Sequence, residues 1–346
     1  MPLLNDDLNS LAQPRQAEVI IVGGGMAGLS AAIYLGRAER DALVIDSGKS
    51  MARWEPDVRN YLGFPEGISG EELVKRGREQ VEASGVSRVE DEVVKARLRK
   101  NIFTLQGKAG SYQAKRLLLA TGIFHPPPEI EEATECLGES VFFCKDCDGL
   151  RVRGKQVAVY GRSNDTVEYA LGMLYYSPCV IIVTDGKRPR WDRQHMDWIE
   201  EYKIPVYLKP ITDARREGCQ VQSLIFGDGM EVEVDGLFRT RGDVYFNKLA
   251  RSLGAEVDEQ GEVVVDACMR TTVPGLYAAG CVTPANCQMI IAAGQGATAA
   301  QAINRDLFEE SLATHSLRHF RGRQLQTLKE TGVAKDRKAL VREKLV

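Results

Sequence analysis

Short apolar runs rich in Val, Ile and Leu recur along the chain, and most of them close on small residues. The first, EVIIV (18–22), leads straight into Gly23-Gly24-Gly25-Met26-Ala27-Gly28 and then LSAAIYLGRA. A continuous β-branched run of this length predicts a parallel strand buried on both faces, and the segment after the glycines predicts a helix. ALVID predicts a second strand, ending at Asp46. LLLATGI (117–123), CVIIV (179–183) and TTVPGLYAAG (271–280) read as further strands, and MIIAAGQGATAAQAINRDLF (289–308) as a long helix of small residues. A second strand–turn–helix unit stands in QVAVYGRSNDTVEYALGML (156–174). Strands alternating with helices predict an α/β protein with parallel sheets.

At 346 residues, 44% of them hydrophobic and 27% charged, the chain has material for about two packed domains. A net charge of −3 argues against nucleic acid or an anionic membrane as main partner. No apolar run approaches the roughly 20 residues that span a bilayer. The N-terminus MPLLNDDLNSLAQPRQ lacks a basic start and apolar centre, so it reads as a loose arm (1–16), and the protein as cytoplasmic.

The first unit has the order strand, G-x-G-x-x-G, helix, strand, acid. Gly23 permits the tight turn, Gly25 lets the backbone approach a pyrophosphate, and Gly28 lets helix and strand pack closely. The helix N-terminus behind Met26 and Ala27 supplies amide donors, and Asp46 accepts from ribose hydroxyls. The small residues Ala120-Thr121-Gly122 and the AAG ending at Gly280 mark places where chain passes close to something. They lie on both sides of the second unit, which implies that one domain is inserted in the other.

Of eight cysteines, Cys136, Cys179, Cys219 and Cys268 are scattered singly and read as packed or surface residues. Cys144 and Cys147, in FFCKDCDG (142–149), stand at i and i+3 on one helical turn, a spacing that allows a disulfide. A helix N-terminus there lowers the thiol pKa. Asp148 could give or take the proton that thiol–disulfide exchange needs. The rival reading is half of a zinc site, but no second C-x-x-C or paired His accompanies it, so no metal is expected.

Glycine loop, NYLGFPEGISGEEL (60–73), ATG strand, C-x-x-C-D-G, second dinucleotide unit, VDGLF and VPGLYAAG follow one another in an order that resembles the low-molecular-weight thioredoxin reductase family. The resemblance covers about residues 17–310. It implies two Rossmann-like (three-layer ββα) dinucleotide-binding domains, the second inserted in the first. The FAD-binding domain would take residues 17–125 and 241–310, and the domain carrying the dithiol residues 126–240. It also implies a homodimer, with Asn60 and Gln288 near the flavin. Cys147 would face that flavin, Cys144 would attack the partner disulfide, and Asp148 would serve as proton donor.

Three departures from the family change the picture. In the second unit, Gly161, Ser163 and Thr166 stand where the family has G-x-G-x-x-A, and Thr184-Asp185-Gly186-Lys187 where NADPH-using members carry a His-Arg-Arg cluster. Losing two charged hydrogen bonds to a 2′-phosphate, each worth roughly 1.5–3 kcal/mol, costs on the order of a hundredfold or more in NADPH affinity. NADPH is therefore not the expected donor. Gly161, Ser163 and Asp185 could serve NAD or a second FAD, or the fold could be vestigial. Pyridine-nucleotide-independent subgroups of the family, the ferredoxin-dependent flavin thioredoxin reductases and the diflavin-linked disulfide oxidoreductases, are the ones this chain resembles. Second, Cys281 replaces the usual Asp that bonds the flavin's ribityl chain. With Cys287 it places two sulfurs near the expected flavin. Simple substitution is the favoured reading and a second redox pair the other. Third, Lys49, Arg53 and Trp54 replace a Gly-Gly-Gln loop.

Residues 312–346 hold nine Lys or Arg against three acids. This basic tail (311–346) reads as a solvated end, or as a docking surface for an acidic carrier such as ferredoxin. His315, His319 or Phe320 could instead stack on the flavin. The sequence thus describes an FAD-dependent disulfide oxidoreductase that passes electrons through Cys144 and Cys147 to a thioredoxin-like or other disulfide. A thioredoxin reductase-like ferredoxin–NADP reductase with incidental cysteines is one rival, and a flavin-binding redox sensor without turnover is the other.

Overall fold

Two sheets built on one plan organise the computed structural model, which describes residues 13–240, 242–318 and 326. In the first sheet the strands Ser87–Glu90, Ala42–Asp46, Arg15–Val22 and Ser111–Leu119 lie side by side in parallel. Ser111–Leu119 also pairs antiparallel with Ile102–Gly107 through its first half and parallel with Leu276–Ala278 through its last residues. Ile20, Ile21, Leu117 and Leu118 have no exposed surface, as unbroken apolar strands between helical layers require. The second sheet is wholly parallel, in the order Val206–Tyr207, Val180–Val183, Val157–Tyr160, Gly236–Arg239, Val141–Phe142, and a three-stranded antiparallel meander (211–233) packs beside it. The expected α/β fold with two Rossmann-like units is present, the second lying in sequence between strands of the first.

Two boundaries differ from the sequence reading. The first strand opens at Arg15, because Arg15–Ala17 pair with Tyr112–Ala114 ahead of the apolar run. TTVPGLYAAG forms a strand only over Leu276–Ala278. Its first half is a turn, closed by Leu276 N–H donating to Val273 O at 3.0 Å around Pro274 and Gly275.

Helix Met26–Arg37 offers Ala27, Gly28, Ala31 and Ala32 to the core, and the long helix Met289–Ala313 packs across it. A methyl group on Gly296 would sit 2.0 Å from Ala27 O, so only glycine permits this crossing. Where the chain passes between the two units, Ile123–Phe124 pairs antiparallel with Val244–Tyr245. Thr121 Oγ1 donates to Phe246 O at 2.8 Å, and Phe246 N–H donates to Gly122 O at 3.1 Å. Among the described residues no helix is long and apolar enough to cross a membrane.

Candidate active site

The first sheet's register brings Val22, Ile45, Leu119 and Ala278 to one level. The segments that follow them, beginning with Gly23, Asp46, Ala120 and Ala279, therefore open together at the carboxyl ends of the strands. This is where an open α/β sheet leaves a ligand crevice. A cavity of about 650 Å³ lies here, lined by Gly23, Gly25, Met26, Ala27, Asp46, Thr121, Gly122 and Gly280. Its wall continues through Asn60, Cys144, Cys147, Asp148, Cys281, Cys287 and Gln288. Every catalytic candidate, and every candidate of the first nucleotide site except Gly28, thus lines one cavity; Gly161, Ser163 and Asp185 lie at the second unit and do not. Gly28 sits beneath the cavity, where a Cβ would come within 1.8 Å of Gly23 O.

The glycine loop has the geometry of a phosphate cradle. Gly23 has φ +114°, and a Cβ there would lie 2.2 Å from Ala120 O. Gly25 is the N-cap of helix Met26–Arg37 and brings no side-chain cap, so the first amide donors of that helix are free for a ligand. Asp46 is 3% exposed, and its carboxylate accepts from Arg78 Nη2 at 2.9 Å and Gly48 N–H at 3.0 Å. These features fit the dinucleotide FAD. Thr121 uses its hydroxyl on Phe246 O and so ties the inter-unit connection. Of the departing loop, Lys49 pairs with Glu92 at 3.0 Å and Arg53 with Glu71 at 2.9 Å, while Trp54 meets Phe124 edge-on at 5.6 Å.

Cys144 and Cys147 form a disulfide across the single helical turn Lys145–Asp148. Cys144 is its N-cap, and its Sγ accepts from Cys147 N–H at 3.1 Å. Gln288 Nε2 lies 3.3 Å from Cys144 Sγ and 3.4 Å from Cys147 Sγ, and Asn60 Nδ2 lies 3.6 Å from Cys147 Sγ. Asn60 also donates to Gln288 Oε1 at 2.9 Å. Asp148 is 4% exposed; burial pushes its pKa up to about 6, against the pull of Arg151, whose Nη1 is 3.5 Å away.

Glu55, which the sequence reading passed over, lines the same cavity. Burial pushes its pKa up to about 8, with the Asp148 charge adding to the rise, and its Oε1 has no hydrogen-bond partner. Asp148 therefore ionises first, and its charge helps hold the proton on Glu55. Glu55 lies at the end of the departing SGKSMARWEP loop, which is the one sequence signal that pointed near it.

Cys281 and Cys287 are bonded to each other, against the favoured reading of simple substitution. The scattered cysteines are free thiols, Cys136 buried, Cys179 and Cys219 exposed and Cys268 half-buried. Among the described residues no cluster of His, Cys, Asp and Glu could hold a metal.

At the second unit the chemistry is closed in on itself. Helix Asn164–Met173 has a capping box in which Ser163 and Thr166 satisfy each other's backbone amides. Thr166 Oγ1 also meets Thr240 Oγ1 at 2.9 Å, and a Cβ on Gly161 would lie 2.3 Å from both hydroxyls. Both oxygens of Asp185 are engaged, one by Tyr160 OH at 2.8 Å and the other by Ile211 N–H at 2.9 Å, as both oxygens of Asp46 are in the first unit. Positive charge is nonetheless near. Arg190 pairs with Ser163 in a β-bridge and its N–H donates to Arg162 O at 2.7 Å, two guanidinium-bearing residues that the sequence reading did not weigh. His315 is exposed and does not line the cavity, while His319 and Phe320 lie outside the described residues.

Comparison with known proteins identifies the family. The Pyridine nucleotide-disulphide oxidoreductase family matches residues 17–303. Thioredoxin reductase of Treponema pallidum is 32% identical over 294 residues, covering 82% of this chain and 95% of that protein. The solved thioredoxin reductase of T. acidophilum is 30% identical with a TM-score of 0.56, covering 85% of this chain and 99% of that one. The Giardia duodenalis enzyme is 25% identical with a TM-score of 0.77 at the same coverage.

Proposed function

Given that this chain belongs to the pyridine nucleotide-disulphide oxidoreductase family and is a thioredoxin reductase-like, FAD-dependent disulfide oxidoreductase, we propose that its electrons come from a donor other than NADPH. They leave through Cys144 and Cys147 to a thioredoxin-like or other disulfide. The observation that carries the reading of the donor is the contrast between the two helix N-termini. The first, at Gly25, is uncapped beside the cavity; the second is capped by Ser163 and Thr166, whose hydroxyl also meets that of Thr240. A pyrophosphate at the second unit would have to displace that capping box and lie against Thr166, at a cost the first unit does not impose. Reduced ferredoxin is the donor class this favours, with one FAD per chain.

FAD supplies a two-electron carrier when bound, and the glycine loop, Asp46 and Gly280 would hold it. The chain's own groups account for the exchange. The amide of Cys147 and the Gln288 side chain both donate toward Cys144 Sγ, which stabilises its thiolate and suits it to attack a partner disulfide. The partner's departing sulfur takes a proton, and the Cys147 thiolate then displaces the mixed disulfide. Asp148, buried and titrating near neutrality, is placed to hold and return the proton of Cys147. Thioredoxin-type couples lie at roughly −270 mV, within reach of a reduced ferredoxin. A reducing, cytoplasmic setting and a homodimer complete the proposal.

Arg162 and Arg190 favour a second reading, in which NADPH binds after all. Anaerobic addition of NADPH, NADH and reduced ferredoxin to the flavin-loaded protein decides between them. Bleaching of the flavin by ferredoxin alone is expected, and rapid stoichiometric bleaching by NADPH overturns the proposal. Replacing the cap (S163G with T166A) is expected to raise nucleotide affinity at least tenfold. Failure of every donor and every disulfide to turn over would favour the redox-sensor reading.

A further inference from the structure

We infer that Cys281–Cys287 is a second redox-active disulfide, in exchange with Cys144–Cys147; the inference rests on the dithiol reading above and extends it. Both pairs line the same cavity. Cys144 and Cys147 are half-buried, with the amides of Asn60 and Gln288 laid against their sulfurs, whereas Cys287 is exposed. Gln288 directly follows Cys287, so their Cα atoms are about 3.8 Å apart. The residue that covers the first pair is thus tethered to the second.

The loop between Cys281 and Cys287 is anchored at both ends. Thr283 is fully buried and donates through Oγ1 to Gly280 O at 2.8 Å, and Gln288 N–H donates to Asn286 O at 2.8 Å. The second pair therefore runs from the cavity wall at Cys281 to solvent at Cys287. An exposed disulfide in a reducing compartment is open to attack by thiols.

The exchange balances without any further reagent. A thiolate of the reduced Cys144/Cys147 pair attacks one sulfur of Cys281–Cys287, breaking that S–S bond and forming a mixed disulfide; the released thiolate takes up a proton. The remaining thiol of the first pair gives up its proton and displaces the mixed disulfide. Cys144–Cys147 is re-formed, Cys281 and Cys287 become thiols, and two electrons and two protons have moved. Cys287 then presents a thiol to an incoming protein or small-molecule disulfide while the first pair stays in the cavity.

Four double variants, each keeping one cysteine of each pair, test whether the pairs meet: C147S/C281S, C147S/C287S, C144S/C281S and C144S/C287S. Each is loaded with FAD, oxidised with diamide and peptide-mapped, and the flavin spectrum reports that it is folded. A cross-link from Cys144 or Cys147 to Cys281 or Cys287 is expected, and its absence from all four overturns the inference. In parallel, the wild-type holoprotein receives one equivalent of dithiothreitol and is quenched with N-ethylmaleimide. Label divided between both pairs is expected. Label confined to Cys144 and Cys147 overturns the inference and leaves the dithiol reading standing; failure of Cys144 and Cys147 to take label even with excess dithiothreitol refutes that reading itself.

Discussion

Replacing Glu55 by Gln isolates the least favourable charge in the site. In the folded protein this carboxyl holds its proton up to about pH 8, against an ordinary value of 4.5, because the half-buried side chain has its Oε1 enclosed, near ionised Asp148. The folded state therefore binds more protons than the unfolded chain between about pH 4.5 and pH 8. The stability that this retained proton represents is fully present below the lower value and is lost as pH rises through the upper one. At 1.36 kcal/mol per pKa unit, the wild type at pH 7 has given up on the order of 3 kcal/mol relative to a protein that never ionises there. Gln has nearly the same shape and no charge to bury. E55Q is expected to match the wild type near pH 5 and to melt several degrees higher at pH 8 to 9. Calorimetry of both proteins across that range measures the gap. Parallel melting curves at every pH would show that Glu55 is solvated, and the account of its burial would fall.

Other perturbations probe the neighbouring groups. D148N keeps the shape beside Cys147 and removes the proton carrier; disulfide exchange is expected to slow by about 10²–10⁴-fold, and the limb of the pH–rate profile near pH 6 to vanish. Stopped-flow rates between pH 5 and 8 measure both, and an unchanged limb refutes the role. C147S is expected to retain FAD and lose all disulfide reduction; full activity would favour the ferredoxin–NADP reductase reading. G28A forces a methyl group against Gly23 O, 1.8 Å away on a backbone that cannot yield locally. A loss of about 3 kcal/mol, with flavin content falling in proportion, is expected from denaturant titration and absorbance.

What the sequence disclosed and what it withheld divide along physical lines. The glycine loop, the terminal Asp46 and the C-x-x-C pair were legible because each depends on residues close in sequence, whose spacing is set by one turn or one strand. The same held for the inserted order of the two units, which strand and turn patterns reveal. Glu55 was not legible, because its burial comes from elements brought together only by the fold, Asp148 lying more than ninety residues on. The Cys281–Cys287 bond was weighed but not favoured, since a six-residue spacing does not say whether a loop closes on itself. At the second unit the reading counted Asp185 and Lys187 but missed Arg190, which a bend in the loop carries back beside Ser163. Thr166 stands out in the sequence as a departure from the family's Ala; its pairing with Thr240, seventy-four positions away, is beyond any local pattern.

The close seat of Met289–Ala313 on Ala27 bears on how the protein is made. The glycine loop leaves the ribosome early, yet Gly280 and Ala292, which complete the wall around it, are translated after the whole intervening unit. Flavin capture must therefore wait until nearly all of the polypeptide exists. Ribosome-bound chains arrested before residue 276 should emerge without colour, however well their first strands have paired.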